Sequence, residues 1–270
     1  MKQDRYMRNI LVEGIGAEGQ AKLSASKALV IGAGGLGSPT LYYLTAAGVG
    51  TVGIVDDDIV NITNLQRQVL HFTDDLGRQK IYSAQQKLVA LNPDVQIITY
   101  NCRFSEENAE RIINGSLEEC DGLYCARNDK ETLNGGGLNL SGGYDFIVDC
   151  CDNYTTKLLI NDVCVQMGKP FSHAAVLAMR GEVMTYIPGS ACYRCVFDTP
   201  PEDGLLPTSE QAGILGSVAG IVGSIQATET IKYLAGMNDL IVNRMLVVDA
   251  TTMNFISLKI KKNRLCICKK

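Results

Sequence analysis

Residues 27–37 read K-A-L-V-I-G-A-G-G-L-G, a short apolar run that stops in a glycine loop. Residues 38–47 then carry apolar positions at helical spacing and end at Gly48. A second apolar run over 51–56, T-V-G-I-V-D, halts at three aspartates. Strand, helix and strand in this order predict a βαβ unit of a parallel sheet whose strand ends face one crevice. The alternation continues with a helix over 80–91, strands over 95–100 and 145–149, a helix over 153–167 and a strand over 170–176.

Residues 114–143 break the pattern. They hold seven glycines in 30 residues and show neither helical nor strand period. We read them as a surface insertion, either a functional lid or a disordered segment. Beyond it, a strand-like G-E-V-M-T-Y-I begins at Gly181, followed by a cysteine and proline stretch. A long Gly/Ala-rich helix is expected from about 211 to 234, and strands over 244–249 and 253–260 close the chain. The expected fold is α/β: a Rossmann-like nucleotide-binding sheet with a parallel centre, helices on both faces and mixed strands toward the C-terminal end.

With 270 residues, the chain is long enough for a sizeable core and is read as a single domain over 1–270. Apolar residues make up 46% and charged residues 20%, the balance of a soluble globular protein. The formal charge of −4 offers no basic footprint for nucleic acid. There is no apolar run of membrane-spanning length and no signal-peptide core, so a cytoplasmic location is expected. In that compartment ten cysteines point to metal binding or sulfur chemistry more than to disulfides. With only His71 and His173 present, a Ser-His-Asp hydrolase is poorly supported.

Gly32-Ala33-Gly34-Gly35-Leu36-Gly37 lies between strand and helix, where backbone N–H groups can meet phosphate. Asp56 ends the next strand, placed for ribose hydroxyls, with Asp58 beside it. These residues specify a nucleotide without separating NAD from ATP. Asn64-Leu65-Gln66-Arg67-Gln68, followed by Lys80, adds amides and two cations that suit a triphosphate and that a nicotinamide site does not need. Asp149-Cys150-Cys151-Asp152-Asn153 places two carboxylates at a strand end, where Mg²⁺ finds oxygen ligands. Asp152 is also a candidate N-cap for the helix that follows. Cys192-Tyr-Arg-Cys195 is half of a four-thiolate zinc site, and Cys266-Ile-Cys268 can supply the other half.

These motifs, with R-Y-M-R-N at 5–9 and the stretch 212–232, occur in one order along nearly the whole chain outside the insertion. Together they resemble the ThiF/MoeB/HesA family. The resemblance implies a homodimer, similar to the adenylation domain of ubiquitin-activating enzymes. Such a dimer adenylates the C-terminal Gly-Gly carboxylate of a ubiquitin-like sulfur carrier for thiamine or molybdopterin synthesis, using ATP and Mg²⁺. It implies that the glycine loop and Asp56 hold adenosine, that Asn64, Arg67 and Lys80 bind phosphates, and that Asp152 holds Mg²⁺. It further implies that Arg8 reaches into the partner subunit's site. The family usually has C-x-x-C in both cysteine pairs, whereas here the second pair is C-x-C. Many relatives carry a cysteine where this chain has Ser209. Either a sulfur-donor protein then acts on the acyl-adenylate, or another thiol serves: Cys150 or Cys151 at the crevice, or Cys120 or Cys125 in the insertion. Cys102 and Cys164 are expected in the core. Two further readings stay open, an NAD-dependent oxidoreductase and a non-catalytic dimeric scaffold.

Overall fold

The computed structural model describes residues 2–117, 125–126, 138–199 and 209–269. Its strands are β1 (Lys27–Ile31), β2 (Thr51–Val55), β3 (Gln96–Tyr100), β4 (Ser116–Leu117), β5 (Cys125–Ala126), β6 (Leu138–Asn139), β7 (Phe146–Asp149), β8 (Phe171–Leu177), β9 (Arg180–Tyr186), β10 (Arg244–Asp249) and β11 (Asn254–Lys259). The helices are α1 (Lys2–Ile10), α2 (Gly16–Ala25), α3 (Gly37–Ala47), α4 (Lys80–Leu91), α5 (Ala109–Ile113), α6 (Tyr154–Met167), α7 (Ser209–Ala212) and α8 (Gly216–Ala235).

One sheet runs in the order β11-β10-β9-β8-β7-β1-β2-β3-β5. Pairing is parallel from β8 through β7, β1 and β2 to β3, and antiparallel from β8 to β11. This is the expected parallel centre with mixed strands at the C-terminal end. Alternate residues of β1 face opposite cores. Ala28 and Val30 pack with Leu41, Leu88 and Val222 on the side of α3, α4 and α8, whereas Leu29 and Ile31 pack with Ile112, Leu158 and Ile160 on the side of α5 and α6. A strand buried on both faces has no polar alternation, which is why β1 reads as a continuous apolar run.

The chain leaves β1 toward β2 and β3, then crosses back so that β7 lies on the other side of β1. That reversal opens a crevice beyond the carboxyl ends of β1 and β7, the position where doubly wound sheets bind ligands.

Several elements depart from expectation. Residues 2–10 and 16–25 form helices that the hydrophobic pattern did not disclose: among the side chains described in α1 only Tyr6 is buried, and in α2 only Gly19, Gln20 and Leu23 are. The long helix expected from 211 is split, because Gly213 adopts a left-handed φ of 73° and its carbonyl accepts from Ala178 N, so α8 starts at Gly216. The 114–143 insertion contributes β4 paired with β6, and β5 paired antiparallel with β3 at the sheet edge, where no strand was expected. Its ends are tied by Leu140 N donating to Gly115 O and Tyr144 N to Ile113 O. Cys120 and residues 206–208 lie outside the described residues.

Candidate active site

The glycine loop is shaped by contacts with the next strand to the side. Gly32 has φ 101°, and a Cβ there would lie 2.7 Å from Cys150 O; a Cβ on Gly37 would lie 2.0 Å from Gly32 O. Both positions therefore require glycine for the turn itself. Gly34 and Gly35 are different, since a Cβ there would meet only side chains, at 3.4 Å and 3.5 Å. They line a cavity of about 960 Å³.

Asp56 holds the loop from the end of β2. Its Oδ2 accepts from Ala33 N at 2.7 Å and its Oδ1 from Asp58 N at 2.9 Å. Burial pushes the Asp56 carboxyl up, and the nearby Lys80 charge and the two N–H donors act against that rise. Each oxygen keeps a lone pair that can accept a ribose hydroxyl. Lys80 opens α4 and is 4% exposed, yet its Nζ reaches Asp58 Oδ2 at 2.8 Å. Arg67 is half-buried beside Gly35, with Nη1 donating to Thr63 O at 3.0 Å. Gln68 is buried against Gly34, and its Oε1 has no partner among the described residues. An orphaned acceptor, two open glycines and two cations at one cavity fit a bound nucleotide.

At the end of β7, Asp149 is fully buried. It accepts from Lys157 Nζ at 3.1 and 3.2 Å and from His173 Nδ1 at 2.8 Å. Burial opposes its ionisation, but Lys157 and His173 outweigh that and hold the carboxyl below its ordinary range. Lys157 also donates to Ala174 O at 2.6 Å, which joins β7, α6 and β8 beneath the cavity. Of the two carboxylates anticipated for a cation, Asp149 is thus consumed by a buried ion pair. Asp152 is exposed at the cavity, and it is not the N-cap, because Asn153 Oδ1 accepts from Thr156 N at 2.9 Å. Its carboxylate is left open for Mg²⁺.

The cavity gathers Gly32, Gly34, Gly35, Leu36, Asp56, Asp58, Arg67, Gln68, Lys80, Asp152 and Asn153. Gly37 sits inside the α3 turn, and Asn64 lies one step behind, its carbonyl accepting from Arg67 N and Gln68 N. Arg8 is exposed on α1 and does not line this cavity. Cys102, expected in the core, is half-buried at the cavity edge, where burial pushes its thiol up to about 12; Cys164 is in the core as expected. Cys150 is buried and Cys151 is half-buried against the cavity, with Sγ donating to Ile31 O. Burial keeps both thiols protonated. The pattern did not disclose the roles of Lys157, His173 and His71. Lys157 stands eight residues after Asp149, and that spacing was its only signal.

Away from the cavity, Cys192, Cys195, Cys266 and Cys268 bring their sulfurs within 4.8 Å of one another, with Cys192–Cys266 at 3.4 Å and Cys195–Cys268 at 3.5 Å. Tetrahedral Zn–S bonds of about 2.3 Å set sulfurs roughly 3.8 Å apart, so the four thiols suit a structural zinc and the shorter C-x-C pair is no obstacle.

A glycine loop, a carboxylate at the end of β2 and two cations at the switch point of a mostly parallel sheet are the arrangement of the nucleotide-binding α/β proteins. The chain belongs to the ThiF family, whose model matches residues 6–269. It is 38% identical to the SAMP-activating enzyme E1 of Haloferax volcanii, over 97% of this chain and 87% of that one. It is 37% identical to the sulfur carrier protein adenylyltransferase of Thermus thermophilus, over 97% and 89%. Its fold matches a crystal structure of Escherichia coli MccB with ATP, at a TM-score of 0.75 and 20% identity, over 97% of this chain and 73% of that one. Among the described residues no helix is long and apolar enough to cross a membrane.

Proposed function

We propose that this protein is an ATP-dependent adenylyltransferase acting on the C-terminal Gly-Gly carboxylate of a ubiquitin-like sulfur carrier, with residues 1–270 forming one adenylation unit. The observation that carries the proposal is the convergence of the glycine loop, Asp56, Arg67, Lys80 and Asp152 on one cavity that no histidine lines. The reaction needs no protein nucleophile. A carrier carboxylate oxygen attacks the α-phosphorus of ATP, the bond to the bridging oxygen breaks, and pyrophosphate leaves with the electron pair. The task of the protein is to position the reactants and stabilise charge.

Asp56 accepts from the ribose, and Gly34 and Gly35 let the nucleotide approach the backbone. Arg67 and Lys80 neutralise phosphate oxygens, with Asp58 keeping Lys80 aimed until substrate arrives. Asp152 would hold Mg²⁺, which supplies charge neutralisation when bound. Arg8, exposed and outside the cavity of its own subunit, fits a role in a partner's site within a homodimer. The four-cysteine cluster is read as structural zinc, and a sulfur-donor protein as the agent that acts on the acyl-adenylate. An oxidoreductase reading leaves Arg67, Lys80 and Asp152 without a role.

The test is ATP–pyrophosphate exchange with Mg²⁺ and, in turn, a thiamine-type and a molybdopterin-type carrier ending in Gly-Gly. Exchange with one carrier is expected, and Asp152→Ala and Arg67→Ala should abolish it in folded protein. Near-normal exchange in both variants would sink the assignment.

A further inference from the structure

The adenylation mechanism uses neither buried imidazole; His173 is committed to Asp149, which leaves His71 without a role. His71 is 3% exposed and bridges two elements: Nε2 lies 2.9 Å from Ala33 O, and Nδ1 lies 2.8 Å from Ser83 Oγ. A carbonyl oxygen only accepts, so Nε2 carries the proton and Nδ1 accepts from the Ser83 hydroxyl. Ser83 Oγ in turn accepts from Lys87 Nζ at 2.8 Å, and Lys87 pairs with the buried Asp75. The Ser83 hydroxyl also faces the Asp75 carboxylate, and the link at the glycine loop has a fixed direction, His71 Nε2 donating to the Ala33 carbonyl. Burial lowers the His71 pKa to about 4, which keeps the ring in the neutral form that the pattern requires.

Ala33 is thereby held on both sides. Its N–H donates to Asp56, and its C=O accepts from His71. In a trans peptide the carbonyl and the following N–H point in opposite directions. Drawing the Ala33 carbonyl toward His71 turns the Gly34 N–H away from it, and Gly34 lines the cavity.

We propose that His71 is a positioning residue for the nucleotide: its Nε2–H holds the Ala33 carbonyl inward so that the Gly34 N–H is presented to ATP. This rests on the nucleotide reading of the cavity. The two ring nitrogens can be tested separately. His71→Gln keeps an amide donor for Ala33 O and gives up the Ser83 link, whereas His71→Asn keeps an acceptor for Ser83 and leaves Ala33 O unpaired.

The experiment is calorimetric titration of the full chain with Mg-ATP, together with KM and kcat from pyrophosphate exchange and the urea midpoint of each variant. An N–H donor that is no longer presented to the nucleotide is worth about tenfold in affinity. His71→Asn should therefore weaken ATP binding and raise KM by about tenfold and, with the buried Ala33 carbonyl left unpaired, lower the urea midpoint, and His71→Gln should stay within about threefold of wild type in ATP affinity and KM. Wild-type affinity in His71→Asn, or equal losses in both variants, would overturn the proposal. If His71→Asn does not fold, His71→Gln decides: retained affinity supports the role and lost affinity overturns it. A wild-type protein that fails to bind Mg-ATP would instead remove the nucleotide reading, and this inference with it.

Discussion

Lys80 is a charged group almost out of water, ion-paired with the exposed carboxylate of Asp58. A lysine held this way is available to any stronger anion that enters the cavity. Replacing it with methionine should leave the fold intact while lowering the kcat of pyrophosphate exchange by about 10²- to 10³-fold, measured beside a melting curve. The second residue-scale expectation concerns acid. His71 ordinarily titrates near 6.5 and in the fold near 4, so as pH falls the unfolded chain takes up this proton first. Its contribution is intact above about pH 6.5 and is lost progressively toward pH 4, by up to roughly 3 kcal/mol. Urea unfolding at pH 7 and pH 4.5 should show a steeper loss in wild type than in His71→Gln, and the difference between the two isolates the imidazole from the neighbouring Lys80, Lys87 and Asp75. Equal slopes would show that the ring does not titrate in this way.

At the scale of elements, Gly32 and Gly34 in the connection from β1 to α3 serve different ends. Gly32→Ala forces a left-handed φ and places a Cβ against Cys150 O. A loss of about 2 kcal/mol or more in unfolding free energy is expected, whereas Gly34→Ala should change stability little and weaken ATP binding instead. Denaturant midpoints and ATP titrations on both variants separate the two roles. Where an element buries one clear stripe or run, the sequence disclosed it: α4 and β10 occupy the residues anticipated from their patterns. The two N-terminal helices, which bury little apolar surface, were invisible. α1 buries Tyr6, whose hydroxyl accepts from Asn92, and no stripe marks it. β11 is exposed at all six residues, yet a strand over 253–260 was expected there. The break before α8 hangs on the φ of Gly213, in a run of small residues that helices also use.

At the scale of the whole molecule, the site was legible wherever its parts are contiguous in sequence, as in the glycine loop with Asp56 or the segment from Asn64 to Gln68. It was not legible where folding brings together single residues. Asp149 with His173 spans 24 residues, and His71 with Ala33 spans 38, without a motif to join them. The cysteine pairs were recognisable as halves, and the fold supplied their closeness. Removing metal with a strong chelator, or making Cys266→Ser, should lower the melting temperature and the zinc content in parallel, with one zinc per chain in the untreated protein. A dimer that shares its sites makes a further demand: Arg8→Ala and Asp152→Ala, each inactive alone, should recover about a quarter of wild-type exchange when unfolded and refolded together in equal amounts. No recovery from mixed chains would place Arg8 outside the partner's site.

The crossover that puts β7 beside β1 also sets an order of assembly. Lys27 N donates to the Asp145 carboxylate across 118 positions, and the backbone of Cys150 walls one side of the glycine loop. During synthesis the loop emerges early, but its second wall arrives more than a hundred residues later, and contacts so distant in sequence form slowly. A ribosome-bound fragment ending before β7 should therefore fail to retain ATP, although it already contains the glycine motif, Asp56 and Lys80. Nucleotide capture then reports that translation has passed the middle of the chain, and ATP in the cell would stabilise only those copies whose central sheet is complete.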